Sequence, residues 1–88
     1  MRLMLGWTWD GACRYAREHH WRINHTTKSF TDDDGRNVMF LRGEDRFDVQ
    51  RLRGIQLECG GVLFGTAVEI HPEVMKEIRV RTQLSWYL

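Results

Sequence analysis

The sequence predicts a mixed α/β fold: a small sheet with one antiparallel hairpin and a central buried strand, and two main helices packed on it. Three observations predict it. Residues 21–42 place two extended arms on either side of Thr31-Asp32-Asp33-Asp34-Gly35. Cys59-Gly60-Gly61 then leads into Val62-Leu63-Phe64, a short apolar run entered through glycines, the pattern of a strand covered on both faces. Pro72-Glu73 opens a helix, because proline suits the first helical position and a carboxylate favours the positive end of the dipole.

Taken in order, Arg2-Leu3-Met4-Leu5 is a candidate first strand ended by Gly6. Thr8 or Asp10 can cap a helix over residues 11–20, where Ala12, Tyr15, Ala16 and His19 recur at helical spacing. Trp7 and Trp9 flank that cap and are expected to staple the helix to the core. In residues 21–30 (WRINHTTKSF), polar residues interleave with Ile23 and Phe30 and β-branched residues are frequent, so one strand is expected. Gly35 supplies the positive φ of the following turn, and residues 36–42 (RNVMFLR) return as the second arm. Residues 45–53 form a short helix or helical turn carrying Phe47, Val49 and Leu52. Residues 72–84 form the best helix, with Val74 and Ile78 on one side and Lys76, Glu77, Arg79 and Gln83 on a wet face. The predicted core is Trp21, Ile23, Val38, Phe40, Val62, Leu63, Phe64, Val74 and Ile78.

Composition bounds the function classes. Eighty-eight residues, 42% hydrophobic and 28% charged, fit one small domain over residues 1–88 with no linker. A net charge of +1 argues against bulk electrostatic attraction to nucleic acid. Two cysteines make no disulfide framework, and the opening apolar run is too short for a signal peptide. No stretch is long enough to span a membrane, so a cytoplasmic location in its host is expected.

Read together, WRINHTTKSFTDDDGRNVMFLRG and DVQRLRGIQLECGGVLFGTAVEIHPEV resemble the ATPase domain of the large terminase subunit, the DNA-packaging motor of tailed bacteriophages. The similarity runs over residues 7–84, from beyond the first nucleotide motif through the second, Walker B. Arg51-Leu52-Arg53-Gly54 and residues 62–74 are its most specific portions. Two departures from the family matter. A P-loop ATPase needs a glycine-rich loop with Lys-Ser/Thr to cradle phosphates, and no such segment occurs. The family's Asp-Glu pair falls on Gly65 and Thr66, so the carboxylates that organise magnesium and activate water are replaced. Glu69 comes three residues after Thr66. The resemblance therefore implies a degenerate ATPase that is not an enzyme and holds no cofactor.

Other chemistries are weaker. His19, His20, His25, His71 and Cys59 lack the paired spacing of a zinc site, Cys13 fits a small buried thiol better than a nucleophile, and Asp32 to Gly35 lacks the span of a calcium loop, so no metal is expected. Two surfaces remain. Asp32, Asp33 and Asp34 form an acidic hairpin tip suited to a basic partner, with Trp7, Trp9, Trp86 and Tyr87 as aromatic anchor candidates. Arg42, Arg46, Arg51 and Arg53, interleaved with Phe40 and Phe47, suit phosphate contact and base stacking. Against that stands neutralisation by Glu44, Asp45 and Asp48 on a solvated face. The expected function is a non-catalytic phage- or prophage-derived protein that inhibits a bacterial defence complex by protein contact, in the manner of anti-CRISPR proteins. The alternative is a nucleic-acid-binding accessory of DNA packaging.

Overall fold

The computed structural model describes residues 1–58 and 60–86, with side chains through residue 81. At its centre lies the first strand, β1 (Arg2–Leu5), which pairs in parallel with β4 (Asn37–Leu41) on one side and β5 (Val62–Phe64) on the other. Beyond β4 the sheet continues antiparallel through β3 (Ser29–Thr31) to β2 (Arg22–Asn24), giving the order β2-β3-β4-β1-β5. The fold is thus mixed α+β, a five-stranded mixed sheet with three helices: α1 (Trp9–Glu18), α2 (Asp48–Leu52) and α3 (Pro72–Trp86).

The helices cover opposite faces of the sheet. Alternate residues of a strand point to opposite sides, so Met4, Val38 and Phe40 meet α1 through Ala12, Cys13 and Ala16, whose small side chains let that helix lie close. Trp21 and Phe30 complete this cluster. Leu3, Leu5 and Leu41 point the other way and pack with Leu52, Leu57, Val74 and Ile78. Covered on both faces, Leu3, Met4 and Leu5 are fully buried, which explains the uninterrupted apolar run of a four-residue strand.

That arrangement corrects the expected place of Val62-Leu63-Phe64. Among the described residues β5 is an edge strand that pairs only with β1. Val62 and Leu63 are half-buried and Phe64 is 51% exposed, so the central buried strand is β1. Ile23, also expected inside, is half-buried on the opposite edge strand.

The expected single strand over residues 21–30 is two strands joined by a turn. Asn24 makes that turn: its Oδ1 accepts from the backbone N–H of Thr26 at 3.0 Å and of Thr27 at 3.1 Å. Lys28 then takes a positive φ of 52° without being glycine. The turn before β4 follows expectation, with Gly35 at φ 81°.

Helix α1 starts where the sequence places its cap, with Thr8 Oγ1 accepting from Gly11 N–H at 3.1 Å. It ends with His20 in the left-handed region at φ 60°, while Trp21 N–H bonds to the Ala16 carbonyl and His20 N–H to that of Arg17. That is the bonding of a Schellman ending built on histidine instead of glycine. Among the described residues no helix is long and apolar enough to cross a membrane.

Candidate functional site

In open α/β sheets ligands gather at the carboxyl ends of parallel strands, which here are those of β4, β1 and β5. Backbone fills the junction between β1 and β5, while the end of β4 borders an open cleft of about 330 Å³ lined by Trp9, Phe40 and Arg42. Gly65 N–H donates to the Leu5 carbonyl at 2.7 Å, and Ala67 and Val68 N–H both reach the Gly6 carbonyl, at 3.1 and 3.2 Å. A Cβ at Gly6 would stand 2.6 Å from the Gly65 carbonyl oxygen, and one at Gly65 would stand 2.7 Å from that of Gly6. Gly6 also has a φ of 84°, so both close approach and conformation select glycine. Trp7 lies over this junction. A Cβ at Gly65 would be 2.9 Å from its ring, and its Nε1 donates to the Leu63 carbonyl at 2.9 Å. Thr66 is exposed, and Glu69 lines a different cleft of about 400 Å³ with Glu44 and His71.

The acidic tip divides. Asp32 is buried, not exposed, because the turn into β4 folds around its carboxylate. Oδ1 accepts from Arg36 N–H at 2.8 Å and Asp34 N–H at 3.0 Å, and Oδ2 accepts from Arg2 at 3.0 Å. Burial alone would raise its pKa. The hydrogen bonds from Arg36, Arg2 and Asp34, with the charge of Arg2, outweigh burial and hold it below the usual value. Asp33 and Asp34 remain exposed. The three carboxylates approach within 4.8 Å of one another, but both Asp32 oxygens already have partners. A triple-aspartate docking tip is therefore reduced to two residues.

Two of the aromatic candidates, Trp7 and Trp9, also turn inward. Trp9 stacks on Phe30 with centroids 5.1 Å apart and meets Phe40 edge-on at 5.2 Å, with the Lys28 ammonium 5.3 Å from its ring. Trp7 is half-buried, hydrogen-bonded and edge-on to Tyr15. Both serve as the staples their positions predict. The Trp86 side chain and all of Tyr87 lie outside the described residues. Cys13 is buried among the α1 contacts, and burial pushes its thiol pKa up, away from a reactive thiolate.

The basic rim behaves differently. Among the described residues only Arg42 finds a carboxylate, Glu44 at 3.0 Å, with both side chains exposed. Asp45 and Asp48 instead cap backbone: Asp45 Oδ1 accepts from Phe47 N–H and Asp48 Oδ2 from Gly43 N–H, each at 3.0 Å. Arg46, Arg51 and Arg53 are exposed and have no ion-pair partner among the described residues. The expected neutralisation by Glu44, Asp45 and Asp48 is therefore confined to Arg42. Helix α2 also separates the rim. Arg46 and Arg53 line one cleft, with Phe47 and His71, whereas Arg42 and Arg51 line another with Trp9 and Lys28. Phe47 is 61% exposed with the Arg46 guanidinium 5.2 Å from its ring. Sequence spacing gathers the arginines and Phe47, but His71 enters from the loop before α3, and no local pattern announces that.

No family model, curated protein or solved structure matches this chain.

Proposed function

We propose that this is a non-catalytic binding protein of phage descent, built on the scaffold of a packaging ATPase and acting by contact on a bacterial defence complex. The observation that carries the non-catalytic reading is the contact of Gly6 with Gly65 beneath Trp7. It lies where the resemblance puts the acidic pair of the family's second nucleotide motif, at Gly65 and Thr66. A phosphate chain there would need backbone N–H groups open to solvent, and those of Gly65, Ala67 and Val68 are already bonded within the chain. The descent and the defence target rest on the sequence resemblance. With the β1–β5 junction filled by backbone, the open clefts around α2 are what remains for a partner.

The experiment has two arms. Calorimetric titration with Mg·ATP should show no binding, and a micromolar affinity abolished by Thr66→Ala would refute the non-catalytic reading. In the second arm, the chain immobilised and exposed to bacterial lysate should retain a defence complex whose activity falls when free chain is added. A retained complex that keeps full activity would refute inhibition.

A further inference from the structure

The strongest unassigned feature is the cleft of about 420 Å³ beside α2, where the chain exposes a large ring among cations. We propose that this cleft is a binding site for single-stranded nucleic acid, with one base stacked on Phe47 and the adjoining phosphates held by Arg46 and Arg53. The inference rests on the non-catalytic reading above and adds to it the chemistry that the exterior recognises.

Phe47 is presented, not merely left outside. Its N–H is held by Asp45 Oδ1 at 3.0 Å, its carbonyl accepts from Gln50 N–H at 3.1 Å, and the short helix that follows is anchored by fully buried Leu52. A ring 61% exposed on so fixed a backbone offers a face at little entropic cost to a flat partner. Arg46 already lies 5.2 Å from that ring, so a base would meet both an aromatic face and a guanidinium plane.

Charge supplies the complement. Arg46 and Arg53 line the cleft without a carboxylate partner among the described residues, and Asp45 directs its oxygen to backbone. Among the described residues Glu73 is the one acidic side chain in the lining. His71 adds a donor: its Nδ1 accepts from Glu73 N–H at 3.1 Å, which leaves Nε2 to carry a ring proton. Two guanidinium groups and an imidazole N–H suit phosphate oxygens, while Phe47 has no use for a phosphate. Both chemistries at once belong to a strand whose bases are unstacked. A duplex shows its phosphates and hides its base faces; an acidic protein segment shows charge without a flat π-surface.

Fluorescence anisotropy with a labelled oligothymidylate of ~12 nucleotides, within the span of known single-strand sites, tests the assignment. The expected result is binding to the oligothymidylate at least ~10-fold tighter than to the matching duplex. With two phosphates neutralised, the single-strand salt slope is about −1.4, so raising salt fourfold should weaken binding about sevenfold. Phe47→Ala should lower affinity at least ~fivefold and leave the salt slope unchanged, because a stacked base is lost and no charge. Arg46→Ala with Arg53→Ala should flatten the slope. All three side chains are exposed, and a circular-dichroism melt verifies that each variant stays folded. Three results would overturn the proposal: no binding of the oligothymidylate, indifference to Phe47→Ala, or equally effective competition by polyglutamate at matched charge, which would mark a surface for acidic protein. Binding is measured without ATP, so its failure is distinct from the appearance of nucleotide binding, which would sink the non-catalytic reading instead.

Discussion

Replacing Asp32 by alanine tests how the start of the sheet is fastened. The carboxylate is completely shielded and receives three hydrogen bonds, from Arg2 at 3.0 Å, Asp34 N–H at 3.0 Å and Arg36 N–H at 2.8 Å. Through them it joins the first residue of β1 to the turn between β3 and β4. Asp32→Ala would strand a guanidinium that is itself only 22% exposed and leave two turn N–H groups without their acceptor. Breaking one side of such a buried pair costs about 3–5 kcal/mol. A chain of this length has a total stability of roughly 4–13 kcal/mol, so the loss is a large share. In urea, with a slope of roughly 1.5 kcal/mol/M, the midpoint should fall by about 2–3 M.

The pH dependence gives the same reasoning a sign. The folded pKa of Asp32 lies below its unfolded value of about 3.9, so the contribution is fully present above that pH. It is lost as pH falls through the folded pKa. The stability gap between the wild-type chain and Asp32→Ala should therefore be equal at neutral pH and at pH ~5, and should shrink below about pH 4. A gap under ~1 kcal/mol at neutral pH, or one that widens on acidification, would refute this account of the turn.

Three further outcomes are expected. Leu3→Ala should cost about 3–5 kcal/mol and Phe64→Ala under ~1 kcal/mol in urea melts, since one side chain is fully buried and the other half exposed; the reverse order would put the centre of the sheet at β5. Gly65→Ala should cost about 1–3 kcal/mol in thermal melts, because its Cβ would stand 2.7 Å from the Gly6 carbonyl oxygen and 2.9 Å from the Trp7 ring; no loss would show that the junction is loose. His20→Gly should raise stability by about 0.5–1 kcal/mol, as relief of left-handed strain exceeds the added chain entropy; a loss would mean that the His20 side chain matters to the α1 ending.

Where a residue's local chemistry decided its structure, the sequence was legible. Thr8 caps α1, Pro72 begins α3, Gly35 turns the chain into β4, and Val38, Phe40, Val74 and Ile78 are buried. Where position in the sheet decided it, the sequence was silent. Nothing in Val62-Leu63-Phe64 distinguishes an edge from a centre, because strand order arises from pairings between distant segments. The β2–β3 turn was hidden for another reason: it contains neither glycine nor proline between Asn24 and Ser29, and its one cue is the asparagine that makes it. At the candidate site, the clustering of Arg46, Phe47 and Arg53 was visible in one dimension. Whether Asp45 and Asp48 would neutralise them was not, since a carboxylate can cap a nearby N–H as readily as pair with a cation. Asp32 misled in the same way, its neighbours marking a wet turn while its own side chain lies inside.

The central strand also precedes every strand it belongs with along the chain. Leu3 takes its neighbours from Met39 on one side and Val62 on the other, so during synthesis an apolar segment emerges long before either partner exists. Pairings between such distant positions form late, because the intervening chain must close before the contacts reward it. Until β5 arrives, β1 presents an open edge next to the sheet's most apolar residues, the condition that favours association with other chains. Phe64 itself stays half exposed, yet β5 closes the seam that protects the nascent protein. A chain released before residue 62 could build the β2-β3-β4 meander but could not seal β1.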